Sequence, residues 1–344
     1  MSILMDDVEE RYVREVGHPP RVHTANDPLF DLEYADDVLL LTKTRAEMQR
    51  LLVLIEEEAS GYAMSLNADK VKLIVMNPPE DLPPILLASG AEVGRVSAWP
   101  YLGVRITADG RQTVNLSARL AKAMGEFNRL TAFWAHAGIC TSLKLRTYKA
   151  IFYPMVLYAL HYSWLTKSMC ARLDSWQART LRRVLRVKAS MISRVSNAEV
   201  LRRAGTRPLS AQVADERIKF LGHILRRPPQ ETVYNVCFDS SCKVRLPVGK
   251  RRQKRPLDNW TRKSVVEVLS RASRSLPFSV RPHACLKPLT SGSLYARNIS
   301  LDKQMWCQLA QRRTYAPTGS RAGPAGIPGI PIAGPAVAAP GGAG

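Results

Sequence analysis

Two adjacent carboxylates inside an apolar run leave this chain few ways to fold locally. Residues Leu32 to Leu41 read Leu-Glu-Tyr-Ala-Asp-Asp-Val-Leu-Leu-Leu. The stretch from Val38 to Leu41 reads as a buried strand, and Tyr34 and Ala35 lead into the acidic pair, which places Asp36 and Asp37 in the tight turn of a β-hairpin. Turns hold Asp at little cost, so an ordinary Asp-Asp turn is one reading of the pair. Downstream, Thr44-Arg45-Ala46-Glu47 is a capping box. Met48, Leu51, Leu52, Ile55 and Ala59 then share one face of a helix that Gly61 stops in the left-handed region. The hairpin strands are expected to pack on the Met48-Leu52-Ile55 face of that helix.

The remaining pattern is mixed at first and then helical, giving an α+β chain. Met1 to Tyr12 reads as a short helix with Asp6 and Asp7 as partners of its N-terminal dipole, broken at Gly17-His18-Pro19-Pro20. Tyr62 to Leu66 and Val71 to Met76 read as strands joined by Asn67-Ala68-Asp69-Lys70, with Pro78-Pro79 closing the unit. Tyr101-Leu102-Gly103-Val104 reads as a strand, followed by an Asp109-Gly110 turn. Helices are expected over 114–134, 142–162 and 170–187. A short helix opened by a second capping box, Ser196-Asn197-Ala198-Glu199, ends at Gly205, and another runs from Ala211 to Arg227 before Pro228-Pro229. His223 falls on that last helix as a surface or partly buried residue.

Charge is unevenly distributed. The net charge is +21, yet residues 1–100 hold 9 Lys+Arg against 18 Asp+Glu, leaving 41 and 11 for the rest. Such a basic remainder points to a polyanion, nucleic acid or an anionic surface. The run from Ile151 to Leu160, broken by Pro154, is too short to span a bilayer, so no membrane partner is expected. In 170–187, Arg179, Arg182, Arg183 and Arg186 recur at i, i+3, i+4 and i+7, opposite Leu173, Thr180, Leu181, Val184 and Leu185. A solvated face usually mixes signs, whereas no acidic residue lies between Gln177 and Arg194. Phosphate contact is therefore the favoured reading of this stripe. Lys250-Arg251-Arg252-Gln253-Lys254-Arg255-Pro256 is a basic block, read as a nucleic-acid arm, a nuclear localisation signal or a solvated linker. The six cysteines show no disulfide pattern, which fits a reducing, intracellular setting in nucleus or cytoplasm. Cys237-x4-Cys242, with His283 and Cys285 beyond, does not match the spacing of common zinc modules.

Tyr34-Ala35-Asp36-Asp37 with these flanks resembles the third catalytic motif of reverse transcriptases, in the form found in LINE-type (non-LTR) retrotransposons and group II introns. The helix ending at Gly61 followed by Leu66-Asn67-x-x-Lys70 is similar to the fourth motif. Tyr101-Leu102-Gly103 looks like the motif that supports the primer end. The resemblance continues in family order through Tyr148-Lys149-Ala150, Pro154 to Tyr158, Trp164-Leu165-Thr166, Leu181 to Leu185 and Phe220 to Arg226, and covers roughly residues 1–265. It implies that Asp36 and Asp37 hold Mg²⁺ for phosphoryl transfer, with Lys70 near the departing pyrophosphate. It also implies that Tyr101, Leu102, Gly103, the arginine stripe and Lys250, Arg251 and Arg252 contact template and primer.

The expected organisation is then a partial palm over 1–110, a helical thumb over 111–190, a basic connection region over 191–270 and a weakly structured stretch over 271–315. From Ala316 to Gly344 the chain is dominated by Ala, Pro and Gly, and disorder is expected there. The family's first catalytic Asp and finger strands would lie upstream of Met1, so the chain reads as the C-terminal part of an RNA-directed DNA polymerase. On this reading it binds template and primer without polymerising alone. The alternative is a non-catalytic basic module that binds nucleic acid or an acidic protein.

Overall fold

The computed structural model describes residues 2–20, 29–76, 82–110, 112–245, 260–275 and 291–311. Lys250, Arg251 and Arg252, the Pro78-Pro79 pair, His283, Cys285 and the 316–344 tail lie outside the described residues. The fold is mixed α and β, with small two-stranded sheets and a larger helical part.

Helix α1 (Ser2–Val16) buries Leu4, Met5, Val8 and Tyr12 on one stripe, the i, i+4 pattern of an amphipathic helix. It runs a turn past the expected end because Gly17, at φ +82°, supplies the left-handed stop and its N–H bonds Val13 O at 2.8 Å. Asp6 and Asp7 fall after the first turn, so they do not act as dipole partners, and Asp7 instead accepts the Tyr62 hydroxyl at 2.6 Å. Strands β1 (Asp31–Tyr34) and β2 (Asp37–Leu40) form the expected hairpin, but its two-residue turn is Ala35-Asp36, so Asp37, expected in the turn, instead begins β2 opposite Tyr34.

Helix α2 (Arg45–Gly61) opens on the Thr44–Glu47 capping box with both reciprocal bonds made. Its stop differs from the expected one. Ala63, not Gly61, takes the left-handed φ of +55°, and its N–H bonds Ser60 O while Met64 N–H bonds Ala59 O. Because those bonds use the backbone of 62–64, the expected strand over 62–66 does not form. The second expected strand shrinks to β3 (Lys72–Leu73), which pairs in parallel with β4 (Gly94–Arg95). The face of α2 divides between two clusters. Leu51, Leu54 and Ile55 pack with α1, Phe30 and Val38, whereas Leu52 and Met48 pack with Ile85, Leu87 and Val93, and Leu40 touches both.

Strands β5 (Ala98–Tyr101) and β6 (Val104–Thr107) form a second hairpin. Leu102 and Gly103, at φ +46° and +72°, make its two-residue turn, so the expected strand across Tyr101–Val104 is a hairpin tip. Asp109-Gly110 is a later turn that leads into the helices.

Helix α3 (Thr113–Arg129) breaks at Leu130 before α4 (Thr131–Ala135), and α5 (Thr141–Leu157) ends earlier than expected. Pro154 removes one backbone donor near that end, Ala159 turns left-handed at φ +58°, and only a 3-10 turn, Leu160–Tyr162, follows. Next come α6 (Lys167–Val184), α7 (Ser190–Ser193), α8 (Asn197–Arg203) and α9 (Leu209–Leu225). The core they enclose centres on aromatics. Phe127 and Trp134 stack at 5.2 Å, Trp134 Nε1 donates to Phe127 O, and the buried Tyr148 hydroxyl meets Thr180 Oγ1 at 2.7 Å.

Helix α9 belongs to two cores. Leu209 and Val213 complete the core of α3 to α8, so packing continues across the boundary expected at residue 190. Ile218, Leu221, Ile224 and Leu225 join a second core with α10 (Thr232–Cys237), α11 (Trp260–Ser275), α12 (Ser291–Leu301) and α13 (Lys303–Gln311). The stretch expected to be weakly structured thus contributes two helices, and α12 buries Gly292, Ser293, Ala296, Ile299 and Ser300. Small polar side chains hide that face from a hydrophobic-periodicity reading.

Candidate nucleic-acid interface

Asp36 and Asp37 are exposed at the tip of the first hairpin, where Ala35 takes φ +55°. The hairpin is tied to the second one by a long-range bond: the Tyr101 hydroxyl donates to Leu32 O at 3.0 Å. Burial, and then the nearby charges of Asp37 and Asp31, hold the Tyr101 phenol above its ordinary pKa, so it stays a neutral donor. The second hairpin's tip is in turn fixed to the helices. Tyr158 Oη donates to Leu102 O at 3.0 Å and Arg119 Nη2 to Gly103 O at 2.7 Å, with the Arg119 guanidinium 5.0 Å from the Tyr158 ring centre. A Cβ on Gly103 would stand 3.3 Å from Tyr158 Cε1, so both its left-handed φ and this close approach suit glycine. A continuous line of contacts therefore runs from the carboxylate hairpin through Tyr101, Leu102 and Gly103 to α3 and α5.

Sequence reasoning assigns neither Arg119 nor Tyr158 a role at this site. Arg119 is one basic residue among several there, and neither side chain's role is visible until the turn between β5 and β6 meets the helices. Lys70 is exposed in the 67–70 turn, where its N–H bonds Asn67 O, and its side chain makes no hydrogen bond or ion pair among the described residues.

The base of the carboxylate hairpin is crowded with negative charge. Glu33 is pushed above the usual carboxylate range by burial, by a hydrogen bond with Asp31 and by the charges of Asp31 and Asp6. Glu9 is raised by burial, Asp31 and Asp6. A carboxyl whose folded pKa is raised contributes stability that is present below its unfolded pKa and lost as pH rises through the folded value. Glu33→Gln is thus expected to stabilise the chain at neutral pH and to lessen the fall in its stability as pH rises above the ordinary carboxylate range. Urea denaturation from acidic to neutral pH checks this, and an unchanged pH profile would contradict it.

As a donor set, Asp36 and Asp37 offer the hard carboxylate oxygens that suit Mg²⁺, which is commonly held by one or two carboxylates and completed by water and phosphate. Their exposure leaves room for such partners. Among the described residues no three His, Cys, Asp or Glu side chains group as a metal site. Cys242 is buried with its Sγ 3.7 Å from Ser293 O, and Cys237 is half-buried.

The arginine stripe divides. Helix α6 ends at Val184, so Arg186 lies beyond it in the left-handed region, at φ +55°. Arg182 is buried and donates to Lys188 O, Val195 O and Asn197 Oδ1 at 3.1, 2.7 and 2.9 Å, which corrects its expected place on the phosphate-facing side. The reason is satisfaction of backbone: the chain leaving α6 folds back and brings those oxygens to one guanidinium. Arg183 donates to Asn128 Oδ1 and lies 4.9 Å from the Phe127 ring centre, and Arg186 donates to Ala135 O. Both remain exposed, as does Arg179, whose side chain makes no hydrogen bond or ion pair among the described residues. Among the described residues no helix is long and apolar enough to cross a membrane. Comparison with protein-family models, with characterised proteins and with solved structures gives no match.

Proposed function

We propose that this chain is part of a LINE-type reverse transcriptase, a partial palm with its thumb, that grips template and primer so that the primer end lies beside Asp36 and Asp37. The observation that carries this reading is the bond from Tyr101 Oη to Leu32 O, between residues 69 apart in sequence. A turn that supports a primer end has to sit against the carboxylates that serve that end, and these two hairpins are in contact. When bound, Mg²⁺ would supply electrostatic stabilisation of the phosphates at Asp36 and Asp37. The chain's own contribution is placement: Tyr101 ties the second hairpin to strand β1 of the carboxylate hairpin, and Arg119 and Tyr158 tie its Leu102-Gly103 turn to the helices. A two-metal reaction draws carboxylates from separate strands, and Asp36 and Asp37 are neighbours on one hairpin. This chain by itself is therefore assigned binding without polymerisation.

Duplex affinity measured against salt tests the reading. The wild-type chain should bind an RNA–DNA hybrid with a steep linear fall of log affinity on log salt. Arg179→Gln combined with Arg183→Gln should flatten that slope by about one unit per lost phosphate contact, whereas Arg182→Gln should act through stability. Equal binding to an acidic polypeptide, or an unaltered slope, would place the function elsewhere.

A further inference from the structure

The segment after α6 forms a braced tip with an unusual surface. Its base is held by Arg182, whose one guanidinium takes Lys188 O on the way out and Val195 O and Asn197 Oδ1 on the way back. Both corners, Arg186 and Arg194, are non-glycine residues in the left-handed region, at φ +55° and +56°. Ser193 Oγ braces the interior by donating toward Lys188 O and Ala189 O and accepting Val195 N–H. Within this braced segment, on α7, Met191 and Ile192 are 87% and 69% exposed, so two sizeable apolar side chains are left uncovered by the described residues.

Charge around the tip selects what could cover it. From Ser175 to Ala198 the chain has six basic residues and no acidic one. The nearest acids on either side are occupied: Asp174 accepts from Ser210, and Glu199 from Arg202 and Arg203. Arg179, Lys188 and Arg194 are exposed, and their side chains make no hydrogen bond or ion pair among the described residues. An exposed apolar pair on a segment whose charged side chains are all cationic fits a partner that is polyanionic outside and apolar inside. A stacked duplex has that profile, since cations meet the phosphates and an apolar side chain can enter between base steps.

We infer that Met191 and Ile192 form a wedge that enters a nucleic-acid duplex between base steps, with Arg179, Lys188 and Arg194 holding the flanking phosphates. The inference rests on the nucleic-acid reading above and adds to it a deformation of the bound duplex. Arg182 acts as the positioning residue of the wedge, since it fixes both ends of the segment.

The test uses the full chain and a short RNA–DNA hybrid carrying 2-aminopurine in its DNA strand, a base whose fluorescence rises on unstacking. Binding of the wild-type chain should raise the fluorescence. The variant Met191→Gln with Ile192→Gln changes only exposed side chains. It should lose that rise and about tenfold in affinity while keeping the salt slope, because its phosphate contacts remain. Lys188→Gln with Arg194→Gln should flatten the slope instead. Duplex binding with no fluorescence change, or with the Gln pair indistinguishable from wild type, overturns the wedge and leaves the nucleic-acid reading standing. No salt-dependent duplex binding at all overturns both. Phosphatidylserine vesicles form the competing arm: vesicle capture that the Gln pair abolishes, with duplex binding unaffected by it, assigns the tip to a membrane surface and overturns the inference.

Discussion

Gly222→Ala should cost the chain about 4 kcal/mol, against the gain of roughly 1 kcal/mol that the same change brings on an exposed helix. The reversal comes from one contact. Gly222 lies within α9, and a Cβ there would stand 2.0 Å from Trp306 Nε1, 2.3 Å from Cε2 and 2.7 Å from Cδ1. Trp306 is 2% exposed, and its Nε1 donates to Ile218 O at 3.0 Å, so the ring cannot step aside while keeping both its cavity and its bond. Displacing a buried tryptophan costs about 3–5 kcal/mol, and the lost hydrogen bond adds about 1. Denaturant unfolding of Gly222→Ala, Trp306→Leu and the double variant checks the account. The double variant should be more stable than the sum of the single losses, since leucine leaves room for the new methyl. Simple additivity would mean that the two residues are not in contact.

Arg271→Met should be the other large loss, about 3 kcal/mol, because it leaves the buried Asp215 carboxylate short of a partner. Arg271 on α11 is nearly buried and ties three elements. It donates to Asp215 Oδ1 on α9 at 3.0 Å, to Ala310 O on α13 at 3.0 Å and to Glu267 Oε1 at 2.8 Å. Methionine fills similar volume, so packing changes little and the electrostatic loss dominates. Asp215 keeps Arg207 and Glu267 keeps Arg217, which limits the cost. Adding Asp215→Leu to Arg271→Met should recover part of the loss, since removing both members of a buried pair costs less than removing one. A double variant less stable than Arg271→Met alone would show that Asp215 stabilises through some other contact.

What could be read from the chain beforehand follows from the range of the interactions involved. The hairpin that carries Asp36 and Asp37, the Thr44–Glu47 cap and the helices around Leu51, Leu173 and Leu221 depend on residues within a few positions of one another. Features set by distant partners were not legible. Arg182 shares the spacing of its exposed neighbours, and only the returning segment at Val195 and Asn197 makes it an internal brace. Gly222 looks like an ordinary helix glycine until Trp306 arrives from another helix. The Ala63 stop was missed because Gly61 was the natural candidate, while the backbone bonds from Ala63 and Met64 placed the turn two residues later. In the candidate site the acidic tip and Tyr101-Leu102-Gly103 were each visible as motifs, whereas Arg119 and Tyr158 become visible as its supports only through long-range contacts.

The central claim is that the Leu102-Gly103 turn holds a primer end beside Asp36 and Asp37. Site-directed crosslinking tests it most directly. Leu102 is exposed at the turn and can carry a photoreactive group through Leu102→Cys. Cys140 and Cys307 are exposed free thiols, so both are first replaced by serine, as is Cys285. With an RNA template annealed to a recessed DNA primer, the account predicts crosslinks concentrated on the terminal nucleotides of the primer's 3′ end. Excess unlabelled primer–template should abolish them. Crosslinks spread evenly along the duplex, or confined to its far end, would contradict the account.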